Sequence, residues 1–196
     1  MPISINGSGT VTGISVGGLP DGIVDTDMIA ANAVTKAKTT VPGITMADAY
    51  KVTSSFSGTA EITSNWARDT SRGGGNIGSA MSESSGVFTF PSTGIYLVHF
   101  QARGNINNQN NREVIIQIFF TSNNSSYEET ANAAMNQYDS NSNTHDSINT
   151  QKILDITDVS NQKVKFRVQT NESSWSTYGD SSISFTFVQF LRLGDT

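Results

Sequence analysis

The stretch Gly86-Val-Phe-Thr-Phe-Pro-Ser-Thr-Gly-Ile-Tyr-Leu-Val-His-Phe-Gln-Ala102 decides how this chain folds. Phe88 and Phe90 recur with a period of two, which is the mark of a half-buried strand. Pro91 to Gly94 supplies a turn. The run from Gly94 is then a long strand with Tyr96, Val98 and Phe100 on one face and His99 on the other.

The same period recurs downstream. Lys163 to Val168 alternates, with Val164, Phe166 and Val168 inward and Lys163, Lys165 and Arg167 in water. Arg112 to Phe120 is almost continuously apolar and predicts a strand covered on both faces. Asn123 to Ser126 reads as a turn. Ile183 to Phe187 alternates and runs into Val188 to Leu193. Phe185 and Phe187 are therefore expected to join Phe88, Phe90, Tyr96, Phe100 and Phe166 in the core or along an oligomer axis. No helical period occurs after residue 48. About 150 residues of short strands between Asn, Ser and Gly turns predict an all-β sandwich or barrel.

Composition narrows the function. The chain has 196 residues, a net charge of −5, only 15% charged residues and no Cys. Ser, Thr and Asn fill about a third of it, well above ordinary usage. Without Cys there is no disulfide scaffold, thiolate zinc site or thiol nucleophile. The acidic balance argues against a nucleic-acid partner, which selects a basic stripe. No apolar run is long enough for membrane insertion by a helix, and no secretory signal is expected at the start.

Residues 1–48 differ from the rest. They contain no Phe, Trp or Tyr, while Gly and Pro recur throughout. Such a segment cannot build its own core. It reads as an extended N-terminal arm with at most a short helix near Met28 and Ile29, capped by Asp25 or Thr26. Ile3, Ile5, Val11, Ile14, Leu19, Val24, Met28, Ile29 and Val34 would form a narrow seam between neighbouring chains. Residues 49–196 form the head.

Two resemblances follow. Gly86-Val-Phe-Thr-Phe-Pro91 with Gly94-Ile-Tyr-Leu-Val-His-Phe100, and the closing Ser182-Ile-Ser-Phe-Thr-Phe-Val-Gln-Phe-Leu191, resemble the complement-one-q and tumour-necrosis-factor-like family. Lys152-Ile-Leu-Asp-Ile156 is similar to that family's penultimate hairpin, with a longer turn at Asp158 to Gln162. The resemblance implies a jelly roll of about ten antiparallel strands, a homotrimer with an apolar three-fold axis, and recognition in place of chemistry. The collagen repeat of many members is absent. The arm resembles the anchor segments of bacteriophage fibres through Gly22, Val24, Ile29, Ala33, Val34 and Lys38. Residues 65–90 resemble jelly-roll heads of marine phage structural proteins.

Catalytic constellations are missing. Gly73-Gly-Gly-Asn-Ile-Gly78 matches a nucleotide fingerprint in form, but no helical segment follows it. No nucleophile elbow occurs, and adjacent Glu128 and Glu129 would point to opposite faces. The chain reads as a non-enzyme with no cofactor. Calcium is a minor candidate, on Asp25 and Asp27 or on Asp155 and Asp158. The polar loops are the candidate receptor surfaces, through Asn107, Asn108, Tyr138, Trp175 and Tyr178, because amides bond hydroxyls and rings stack on sugars.

The expectation is a trimeric virion fibre or spike, assembled in the host cytoplasm. The arm would dock on other virion proteins, at the tail or capsid, and the head would adhere to a host-surface glycan or protein. A capsid-decorating protein of the same architecture and a bacterial surface carbohydrate-binding module are the alternatives.

Overall fold

The computed structural model describes residues 43–107, 111–137 and 143–196. The seam residues Ile3, Ile5, Val11, Ile14, Leu19, Val24, Met28, Ile29 and Val34 lie outside the described residues, as do Asn108, Tyr138 and the Asp25 and Asp27 pair.

The described residues form an all-β sandwich of thirteen antiparallel strands. These are β1 (Ala47–Val52), β2 (Phe56–Ser57), β3 (Ala60–Glu61), β4 (Trp66–Arg68), β5 (Ser82–Ser84), β6 (Val87–Thr89), β7 (Gly94–Asn107), β8 (Asn111–Thr121), β9 (Glu128–Gln137), β10 (Asn143–Ile156), β11 (Lys163–Thr170), β12 (Ser176–Thr177) and β13 (Phe187–Gly194). Three of them, β2, β3 and β12, are two-residue strands. The other ten correspond to the jelly-roll number expected.

The first sheet runs β4-β1-β13-β7-β10, with β12 and β2 continuing beyond the far end of β7. The second runs β5-β6-β11-β8-β9, with β3 on β11. β7 and β10 pair over their full length, from Gly94 opposite Ile156 to Asn107 opposite Asn143. The last strand is inserted between the first and the seventh: Leu191 faces Ala47 on one side and Leu97 on the other. β1 opens at Ala47, so Met46 and Asp48 are already buried parts of the head.

The core lies between the sheets because both present a period-two apolar face there. Phe88 is its centre. Its ring meets Tyr50, Trp66 and Phe166 edge-on at 5.2, 5.3 and 5.4 Å, and Phe190 at 5.3 Å. Phe90, Tyr96 and Phe100 are buried beside it. The β5–β6 hairpin turns on Ser85 and Gly86 (φ 52° and 80°), the paired positive φ of a type I′ turn. A Cβ on Gly86 would collide with the Ile62 carbonyl, so glycine is needed twice over at that position.

β13 decides between core and outer face for Phe185 and Phe187. Its inward residues are Val188 and Phe190, with Thr186 buried just ahead of it. Phe187 therefore points out of the core, and Phe185 lies before the strand begins; both are half-buried. Aromatics stand on both faces of this segment, so the alternation alone does not select a phase. The pairing of Val188 with Phe100 and of Phe190 with Val98 selects it. β8 departs in part as well. Val114, Ile116 and Ile118 are buried, but of its outward residues only Gln117 and Thr121 are buried, and Ile115 and Phe119 stay half-buried.

Candidate functional site: the outer face of the first sheet

Register across β1, β13, β7 and β10 builds this face row by row. The first row is Ala47, Leu191, Leu97 and Ile153. The second is Ala49, Gln189, His99 and Gln151, and the third is Lys51, Phe187, Gln101 and Asn149. All point away from the core, because their neighbours Tyr96, Val98, Phe100, Val188 and Phe190 point into it.

The first row is apolar; Ala47, Leu97 and Leu191 are half-buried in it. Ile153 is 58% exposed and Leu193, just beyond it on β13, is 51% exposed. A shallow depression of about 280 Å3 opens between Ala47, Leu97 and Leu191. The second row holds two amides, an imidazole and Ala49, with no carboxylate, Lys or Arg. His99 Nδ1 lies 3.4 Å from Gln189 Oε1, and its ring stands edge-on to Phe187 at 5.7 Å. The one cation in the third row, Lys51, is buried and neutralised by Asp69 at 3.3 Å. The buried cost of Asp69 raises its pKa, but hydrogen bonds from Ser184, Lys51 and Ser71 outweigh it and hold the carboxyl below its ordinary value.

An aromatic cluster continues the face towards the far end of β7. Arg103 stacks over Phe185 at 5.1 Å, Phe185 meets Tyr178 at 5.9 Å, and the Tyr178 hydroxyl lies 3.0 Å from His145 Nδ1. Tyr178 is thus half-buried among these groups and is not a free loop aromatic. Trp175 is a plain correction. Its ring is fully buried, its Nε1 donates to Thr177 Oγ1 at 2.9 Å, and it packs on Gly104, where a Cβ would collide with it. An indole this large gains more from core burial than from display on a loop. Asn107 ends β7 opposite Asn143.

A polar network unseen in the sequence fixes the edge of the face. Asp48, 3% exposed, accepts Arg68 Nε at 3.1 and 3.2 Å, Met81 N at 2.9 Å and Ala49 N at 2.9 Å. Arg68 Nη2 donates to the Tyr50 hydroxyl at 2.6 Å and to the Met81 carbonyl at 2.8 Å. Burial pushes the Tyr50 phenol above its ordinary pKa against the opposing effect of Arg68. The sequence carried one signal of this: Asp48 stands in the inward phase of Met46, Asp48, Tyr50 and Val52.

The glycine loop is a surface turn. Gly74 N donates to Ser71 O at 2.9 Å, and Ile77 bridges Ala47 on the edge of β1. The Asp158 carboxylate is engaged by its own turn, through Ser160 N at 2.9 Å and Asn161 Nδ2 at 2.7 Å. Among the described residues no three His, Cys, Asp or Glu side chains gather as metal ligands.

No family model matches the chain, and no curated protein sequence matches it either. Solved structures do. The chain is similar to Eiger TNF from S. frugiperda with a TM-score of 0.56 at 13% identity, over 79% of this chain and 96% of that one. It is similar to murine APRIL at pH 5.0 with a TM-score of 0.53 at 13% identity, over 76% of this chain and 98% of that one. At such identity the likeness is one of fold: the head is a TNF-like jelly roll.

Proposed function

We propose that this protein is a non-enzymatic virion structural protein, a trimeric fibre or spike whose N-terminal arm, ahead of β1, attaches it to the particle. The observation that carries the assembly is the first row of the outer face. Three aliphatic side chains in register, Leu191, Leu97 and Ile153, stand on a sheet surface with no carboxylate, Lys or Arg in the next row. An isolated domain keeps such a face polar, whereas a face that meets copies of itself does not. The count of three comes from the resemblance of the fold and its motifs.

Trimers multiply weak contacts, because linked heads raise the effective concentration of each other's sites. That suits adhesion to a host surface. The arm's resemblance to phage fibre anchors supports attachment to the tail or capsid, and a decorating role uses the same architecture.

Light scattering of the full chain tests the assembly. The expected mass is three times 21.0 kDa. Leu97→Asp is expected to give folded monomers. A wild-type monomer, or a trimer indifferent to this substitution, refutes the assigned face. Removal of residues 1–43, which stops short of buried Met46 and of β1, should leave a folded head that is missing from particles imaged by electron microscopy. Incorporation of the truncated chain refutes the anchor.

A further inference from the structure

The second sheet carries a groove of about 420 Å3 on its outer face, on the side of the sandwich away from the aliphatic row. This falls in the range of small-molecule sites, roughly 300–1,000 Å3. Its floor is a cross-strand row: Ser82 on β5, Thr89 on β6 and Lys163 on β11 stand in register. Tyr127 and Asn124 line it from the turn between β8 and β9, and Lys165 Nζ sits 4.3 Å from the Tyr127 ring centroid.

The rim is held in place without a ligand. Asn124 adopts φ 56° and its N–H donates to the Asn161 carbonyl at 2.9 Å. Asn123 Oδ1 accepts the N–H groups of Ser125 and Ser126 at 3.0 and 2.9 Å. Little conformational entropy is left to lose when something binds.

The charges in the groove are unequal in availability. Lys165 is paired with Glu61 at 2.9 Å. Glu83 accepts the Gly86 N–H at 2.7 Å. Lys163, half-buried in the floor, makes no ion pair among the described residues. The groove thus offers hydroxyls that donate and accept, an amide, a ring and, in Lys163, an ammonium outside the ion pairs of the described residues, while the Glu83 carboxylate brings a negative charge to the β5 edge, where the hairpin turn holds it. Hydroxyls and amides match a polyol, a ring packs against the C–H face of a pyranose, and the ammonium favours an anionic substituent.

We propose that this groove binds a saccharide bearing a carboxylate, of the uronate class. The inference deepens the adhesion reading and rests on it for its purpose, while its geometry is independent of assembly. The test is calorimetric titration of the full chain with tetragalacturonate, against maltotetraose as the neutral sugar, with light scattering of the same samples. Tetragalacturonate is expected to bind roughly tenfold tighter, as one charge-assisted contact provides. Lys163→Gln should remove that preference and keep the weaker neutral binding, and Tyr127→Ala should weaken both sugars. Absence of tetragalacturonate binding, equal affinity for the two sugars, or binding untouched by both substitutions overturns the proposal. A monomeric chain that binds with the expected preference refutes the assembly and leaves the groove standing.

Discussion

The phase of β13 can be tested by removing one ring from each of its faces. Phe190 is 1% exposed, and its ring lies 5.3 Å from Phe88 and 6.2 Å from both Phe90 and Phe166. Phe190→Ala removes a buried ring from a packed core, which costs about 3–5 kcal/mol. The aromatic pairs lost with it, each worth ~0.5–1.5 kcal/mol, place the cost towards the upper end. For a domain of this size about 2–4 °C is lost per kcal/mol, so the melting temperature should fall by about 6–20 °C. Phe187 is half-buried on the outer face and meets one ring, that of His99. Within a single head Phe187→Ala should cost about 1 kcal/mol or less. Its larger effect is on association, which appears as a melting temperature that depends on protein concentration. Thermal and urea unfolding of both variants at several concentrations separates the two. If Phe187→Ala is as costly as Phe190→Ala at every concentration, or if Phe190→Ala costs under about 1 kcal/mol, the assigned phase is wrong.

Other outcomes follow from named contacts. Asp48→Ala strands a half-buried guanidinium and a buried N–H, and should cost about 3–5 kcal/mol in urea unfolding, whereas a surface carboxylate such as Asp155 should cost almost nothing on replacement. Asp69 has a folded pKa below its unfolded value, so the stability it contributes is present above the unfolded pKa. That stability is lost as pH falls through the folded one; Asp69→Asn should flatten this part of the acid limb when unfolding is followed against pH. Gly104→Ala drives a Cβ into the Trp175 ring and should destabilise the head by about 1–3 kcal/mol, with a red shift of indole emission if the ring is displaced.

The sandwich was legible because its strands obey one rule without interference. Val164, Phe166 and Val168 alternate with cations, and Tyr96, Val98 and Phe100 leave no choice of face. The rest stayed open where a rule has two solutions. Phe185 and Phe187 satisfy the alternation as well as Thr186, Val188 and Phe190 do, and only pairing with β7 decides between them. Trp175 sits in a stretch of Ser, Thr and Asn that reads as a loop tip. Its burial depends on Gly104, far away in sequence, leaving room for an indole. The candidate site was hidden for a similar reason. Leu97, Ile153 and Leu191 are unremarkable in their own strands and become an aliphatic row only when three strands are laid side by side.

The insertion of β13 between β1 and β7 has a consequence for synthesis. Ala47 emerges from the ribosome long before Leu191, its partner in the sheet. At roughly 5–20 residues per second the gap is on the order of ten seconds. Throughout that interval β1 has no neighbour to join it to β7, and the aliphatic row lacks one of its members. A chain whose translation stops early therefore carries neither a continuous first sheet nor a complete aliphatic row. In the proposed assembly only chains read to the end of this strand would present the whole row, so the topology itself would screen out incomplete products.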